Sequence, residues 1–198
     1  VEEDYKEEIP QYDDKITKDI FEDIHNAKRP VILAGTGIRL AESFDEFYEA
    51  VHLMNIPVVT AWNAHDLLWD EHPCFVGRAG TVGTRGGNFV IENCDVLLVL
   101  GCRMNIRQIS YNFRDYAKNA YKIMVDIDAA ELQKPTFKAD LPVHANVKDV
   151  IGALLSVESK TTETQSRWLQ WCRNINAQYP ATLPSYYAIK KPMNPYAF

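Results

Sequence analysis

Apolar residues recur along this chain with two alternating periods. In ITKDIFEDIHNAK, Ile16, Ile20, Phe21 and Ile24 share one helical stripe. RPVILAGTG follows, a β-branched run stopped by glycine, and reads as a strand over 31–35. LAESFDEFYEAVHLM returns to helical spacing, with Leu40, Phe44, Phe47, Ala50 and Val51 on a stripe. IPVVTAW gives a short strand at 57–60, followed by a polar loop that holds Asn63, His65 and Asp66. A glycine-rich stretch, RAGTVGTRGGN at 78–88, leads into a predicted helix over 84–93 with Phe89 and Val90 facing inward. CDVLLVLG is the most hydrophobic strand, at 96–101. Further strands are predicted at 121–127 and 141–145, with a sixth candidate at 74–76. VKDVIGALLSV is helical, 158–165 reads as an exposed linker, and a helix with Trp168, Trp171 and Ile175 follows. The last 19 residues hold four of the ten prolines and read as extended.

Strands that alternate with helices predict right-handed βαβ units and a parallel sheet. Strands that are apolar on both faces predict helices on both sides of it. The 198 residues suffice for one sizeable domain. No apolar run approaches the roughly 20 residues of a membrane span. Residues 1–30 hold ten acids and five bases, whereas the remainder is nearly neutral. The acidic start therefore reads as a solvated linker, and the body offers no basic face for nucleic acid. Cys74, Cys94, Cys102 and Cys172 form no CxxC and no zinc spacing, which reads as a reducing cytoplasm, and Cys94 and Cys102, at the ends of an apolar strand, read as small hydrophobes. The chain begins at Val1 and is read as a processed or excised piece.

Ligands of open parallel sheets bind beyond the carboxyl ends of the strands. After the first strand stands Gly35-Thr36-Gly37, either a phosphate-approaching loop or a tight turn. Leu40 occupies the place of the third glycine in the dinucleotide fingerprint GxGxxG. After the second strand come Thr60, Ala61 and Trp62, and core packing is the favoured reading for Trp62. The glycine-rich stretch lacks the Gly-Lys-Ser/Thr ending of a P-loop, and Gly86 and Gly87 alternatively allow close helix–sheet packing. After the strand at 96–101, Gly101 leads to Arg103 and Arg107, residue types that bind a pyrophosphate or sit in a surface loop. Asp126 and Asp128 end the next strand, where a carboxylate holds a ribose hydroxyl or caps a helix. Each signal is weak singly, yet all lie on one edge of the sheet, which points to nucleotide binding. Catalytic constellations are poor. His65 with Asp66 is the best acid–base candidate, and His144 reads as a core residue.

The phrases RPVILAGTG, IPVVTAW, GTVGTRGGNFVIENCDVLLVLGCRMNIR, VDIDAAEL and ANVKDV together resemble the central domain of thiamine-diphosphate-dependent enzymes of the acetolactate synthase large-subunit type. The closing MNPYAF is similar to that family's domain-ending phrase. The resemblance implies a three-layer α/β/α Rossmann-like domain with a six-stranded parallel sheet. It divides the chain into a linker at 1–14, a central domain at 15–158, and a helix and linker at 159–198. It also implies that this is the middle of three domains. The catalytic glutamate would lie in the first, and the GDG motif for magnesium and diphosphate in the third. No GDG occurs in this chain. The implied parent is a carboligase or decarboxylase of a 2-keto acid, a cytoplasmic homodimer or homotetramer, and the chain alone would be inactive.

In that family the central domain carries much of a structural FAD site, and some relatives use ADP. By matching positions, the site maps to Gly35, Thr36 and Gly37, to Thr60, Ala61 and Trp62, and to Gly80, Thr81, Val82 and Gly83. It continues through Gly101, Arg103, Asn105 and Arg107 to Asp126 and Ile127, with Asn146 and Val147 further on. Gly-Thr-Gly replaces a triple glycine, Thr81-Val82 replaces Met-His, and Asn105 and Ile106 replace two aspartates. The alternative from another class is a free-standing nucleotide-binding module without catalysis. NAD-dependent deacylases share a related fold, but their catalytic and zinc motifs are absent.

Overall fold

A computed structural model describes residues 13–157, 160–189, 191–195 and 197. Most of the acidic linker expected at 1–14 lies outside the described residues. Six parallel strands form one sheet: β1 (Pro30–Ala34), β2 (Val58–Thr60), β3 (Phe75–Arg78), β4 (Val96–Leu100), β5 (Tyr121–Asp126) and β6 (Leu141–His144). Their spatial order is β3-β2-β1-β4-β5-β6. This is the doubly wound order, and the chain reverses direction across the sheet between β1 and β4. β1 is in register with both neighbours there, Leu33 pairing with Val59 on one side and Val99 on the other.

The inner strands β1, β2 and β4 are buried along their whole length, because helices cover both faces. Helix α1 (Asp14–Asn26) and α3 (Phe44–Met54) pack on α7 (Val147–Leu155). Helix α4 (Arg85–Asn93) packs on α8 (Glu163–Gln178), and α8 also meets β3. Short helices α2 (Gly37–Leu40), α5 (Ile106–Ile109) and α6 (Ala129–Gln133) follow β1, β4 and β5, and α9 (Pro184–Ala188) lies near the C-terminus. The fold is thus the three-layer α/β/α Rossmann-like arrangement, and the sixth strand candidate is real, as the edge strand β3.

Several sequence expectations differ from the structure. Leu40 does not join the α3 stripe. It ends the separate helix α2 and is 84% exposed, because the chain turns at Ala41–Ser43 before α3 begins. Phe89 faces outward from α4 and packs edge-on against Tyr179, with ring centroids 5.3 Å apart. Its neighbours Val90 and Ile91 fill the core instead. The exposed linker expected at 158–165 does not extend to Gln165. Thr162 caps α8 in a reciprocal capping box with Gln165, whose side chain is buried and donates from Nε2 to the carbonyls of Ile24 (2.9 Å) and Ala27 (3.0 Å). The proline-rich end is not wholly extended, since Pro184 occupies the first turn of α9, where a missing N–H costs nothing.

Candidate functional site

The carboxyl ends of β1, β4 and β5 converge on a cleft of about 520 Å³. Its base is the switch point. The Gly35 N–H donates to the Leu100 carbonyl and the Gly37 N–H to the Gly101 carbonyl, both at 2.9 Å. Gly101 itself takes a left-handed conformation, φ +58°, that lets its backbone lie against Gly37. The first glycine loop is therefore a tight turn that also lines the cleft.

Of the residues singled out from the sequence, Gly35, Thr36, Gly37, Ala61, Trp62 and Gly101 line this cleft. So do Arg103, Asn105, Asp126, Ile127, Asn146 and Val147. Trp62 is not a core residue. It is 37% exposed at the rim, with the Arg107 guanidinium 5.3 Å from its ring centre. Arg107 stands outside the lining. Thr60 is buried at the end of β2, with its hydroxyl unpaired.

The two aspartates after β5 divide their work. Asp128 caps α6 by accepting from the Ala130 N–H at 2.8 Å. Asp126 caps no helix. It is 94% buried, since 6% of its surface remains exposed, and it accepts from the Asp128 N–H at 3.0 Å. Burial pushes its carboxyl above the usual range, and the nearby carboxylates of Glu131 and Asp128 add to this. Asn105 and Asn146 each cap a helix with the side-chain oxygen, accepting from the N–H of Arg107 and of Lys148.

The glycine-rich stretch is not part of the cleft. The Gly87 backbone packs so closely on β3 that a Cβ there would stand 2.4 Å from the Arg78 carbonyl. Thr84 closes the start of α4 by accepting from the Gly87 N–H at 3.1 Å. Gly80 is clamped by Asn88, which accepts from its N–H and donates to its carbonyl. Thr81 donates from its backbone N–H and its hydroxyl to the Arg107 carbonyl, at 2.8 and 3.1 Å. Gly80 and Thr81 line a second cavity of about 460 Å³, whereas Val82 and Gly83 line neither. Close helix–sheet packing is thus what Gly87 does.

His65 and Asp66 stay outside both cavities, and Asp66 pairs with Arg39 at 2.7 Å. His144 is only partly buried, and its Nε2 lies 2.9 Å from the Ile127 carbonyl. All four cysteines are buried and unpaired with one another. Burial raises the Cys102 thiol to about 11 and the Cys94 thiol to about 12, so both stay protonated at neutral pH. Among the described residues no group of three or more His, Cys, Asp and Glu side chains is placed to hold a metal. No helix there is long and apolar enough to cross a membrane.

Leu40, Ala41, Asn63, Cys102, Gln108 and Val125 also line the cleft, and sequence reasoning assigned none of them to it. Leu40 carried a signal, since it stands where a dinucleotide fingerprint has glycine. Gln108 carried none, because its burial depends on Tyr116, whose hydroxyl accepts from its Nε2 at 3.1 Å.

Residues 17–154 match the model of the family described as thiamine pyrophosphate enzyme, central domain. Over 168 residues the chain is 34% identical to a probable acetolactate synthase large subunit of Methanococcus aeolicus, covering 81% of this chain and 28% of that protein. Over 179 residues it is 32% identical to the corresponding protein of Methanocaldococcus jannaschii, covering 88% and 29%. An acetolactate synthase large subunit of Lactococcus lactis is 31% identical over 169 residues, covering 85% and 29%. The chain thus spans less than a third of the length of these relatives. With the family match covering most of the chain, and with the doubly wound sheet already in place, the chain belongs to the thiamine pyrophosphate enzyme central-domain family.

Proposed function

We propose that this chain is the nucleotide-binding central domain of a thiamine-diphosphate-dependent enzyme that acts on a 2-keto acid. The observation that carries the nucleotide reading is the buried Asp126 at the end of β5, which lines the same cleft as Arg103. The donor set fits an adenosine diphosphate group, whether as ADP or as the ADP half of FAD. Asp126 would accept from ribose hydroxyls. Arg103, with Arg107 at the rim, would neutralise the diphosphate. The close Gly35–Gly37 turn would let the ligand approach the backbone, and Trp62 offers a flat apolar face. The cleft volume of about 520 Å³ is within the usual range for small-molecule sites.

The role proposed for the bound nucleotide is structural. Thiamine diphosphate, when bound with magnesium, supplies carbanion stabilisation. None of the residues named here is proposed to hold either, because the cleft lacks a metal-binding carboxylate cluster among the described residues. The chain by itself is therefore proposed to be inactive. The parent is proposed to be a cytoplasmic homodimer or homotetramer that uses neither nucleic acid nor a membrane as partner. The near-neutral body beyond residue 30 supports the exclusion of nucleic acid.

The test of the enzyme reading uses a longer polypeptide that contains this chain. Supplied with thiamine diphosphate, magnesium and pyruvate or a longer 2-keto acid, it should release carbon dioxide. Failure to bind thiamine diphosphate and magnesium would sink this reading and leave the free-standing nucleotide module.

A further inference from the structure

The two cavities lie side by side, and among the described residues Gln108 alone lines both. It sits in the last turn of α5 and is 3% exposed. Its Nε2 donates to the Tyr116 hydroxyl at 3.1 Å, while its Oε1 is buried without a partner. A hydroxyl can both give and take a hydrogen bond. The amide can therefore turn over, accept from Tyr116, and leave its N–H₂ free instead. In either orientation one end of the amide is anchored and the other is unsatisfied.

The position of this side chain matters because of what precedes it. Gly101, Arg103 and Asn105 lie on the same stretch of chain and line the first cleft. Gln108 follows Arg103 in the chain, on α5, and lines the same cleft. Behind Gln108 lies the second cavity, about 460 Å³, bounded by Gly80, Thr81, Asn88 and Tyr116. A group attached beyond the diphosphate and directed toward this second cavity would meet the Gln108 side chain.

We propose that Gln108 is the specificity-determining residue of the cleft: it separates the cleft from the second cavity, so that the cleft takes an adenine nucleotide ending at its diphosphate and rejects one extended by a second ring. This rests on the nucleotide reading given above. The free amide end favours the short ligand, because in its N–H₂ orientation it donates to a terminal phosphate oxygen. An extended ligand loses that contact and meets the side chain.

The test compares ADP and FAD binding to the chain and to two variants by calorimetry, with flavin fluorescence as a second readout. The wild type should bind ADP at least about tenfold more tightly than FAD. Gln108→Ala joins the cavities and should narrow that ratio at least about tenfold. Gln108→Leu fills the same space without the amide, so it should weaken ADP and leave FAD excluded. The proposal is overturned if Gln108→Ala leaves the ratio unchanged, or if Gln108→Leu admits FAD as well as Gln108→Ala does. Thermal melts establish that each variant is folded, and Gln108→Val replaces the alanine variant if it is not. If ADP binds the wild type and the ratio does not move, only the role of Gln108 fails. If neither nucleotide binds any folded variant, the nucleotide reading fails and takes this inference with it.

Discussion

A Cβ added to Gly35 would stand 2.2 Å from the carbonyl oxygen of Gly101. This contact joins the ends of β1 and β4 at the point where the sheet reverses, and it sets the base of the cleft. Backbone meets backbone there, so neither side can yield by rotating a side chain. Gly35→Ala should therefore destabilise the chain by about 2–3 kcal/mol, the cost of overpacking a tight site. Gly152 is the internal control. It lies inside α7 and a Cβ there would meet nothing within 4 Å. Gly152→Ala should stabilise by about 0.5–1 kcal/mol through helix propensity. Urea unfolding of both variants against the wild type checks the pair.

Asp126 makes a pH-dependent contribution whose sign follows from its raised pKa. Burial first, then the carboxylates of Glu131 and Asp128, hold its folded value above the ordinary 3.8. The folded state thus binds the proton more readily than the unfolded state, and the ionised form destabilises the fold. Asp126→Asn removes the charge and keeps an oxygen for the Asp128 N–H. The variant should melt higher than the wild type at neutral pH. The difference should shrink as the pH falls through the raised pKa, and it should be absent below about 3. Melting curves from neutral to acidic pH read this out.

His72 works in the opposite direction. Burial, with a smaller repulsion from His52, lowers its pKa from the ordinary 6.5. Its Nδ1 accepts from the Cys74 N–H at 3.1 Å, and its ring packs edge-on against Trp69 and Tyr48. Protonation would destroy that acceptor. The stability supplied by neutral His72 is present above 6.5 and is lost as the pH falls from there through the folded value. His72→Asn retains an acceptor for Cys74 while losing the ring contacts. It should start less stable and show a flatter decline below 6.5, measured by denaturant unfolding at several pH values.

Gln165 ties α8 to the end of α1. Its Nε2 serves the carbonyls of Ile24 and Ala27, and its Oε1 accepts from the Thr162 N–H at 3.0 Å. Gln165→Leu keeps the bulk and strands those groups in a buried site. The expected cost is about 1–3 kcal/mol. Amide hydrogen exchange should show faster opening at Thr162 and in the first turn of α8.

These outcomes bear on what the sequence could disclose. The run from Val96 to Leu100 announces a central strand because every side chain in it is apolar, and burial on both faces demands that. Gly35, Gly101, Arg103 and Asp126 could be assigned to one edge by topology alone, since strand ends in a parallel sheet share a side. Trp62 and Phe89 misled for one reason. Apolar character identifies a side chain that avoids water, but not whether a distant segment will cover it. Phe89 is met by Tyr179 and Trp62 by Arg107, neither adjacent in sequence. Helices α2 and α5 span four residues each, too short for any periodicity to register. Gln108 was invisible because burial of a polar residue is decided by its tertiary partner Tyr116, not by its neighbours in the chain.

The central claim is that the cleft at the end of β1, β4 and β5 binds an adenosine diphosphate group. Calorimetric titration of the chain with ADP tests it most directly, with Asp126→Asn measured alongside. The account predicts saturable one-to-one binding to the wild type, weakened at least about tenfold by Asp126→Asn in a variant that melts no lower than the wild type. No saturable heat from the wild type, or equal affinity in the two proteins, would contradict it.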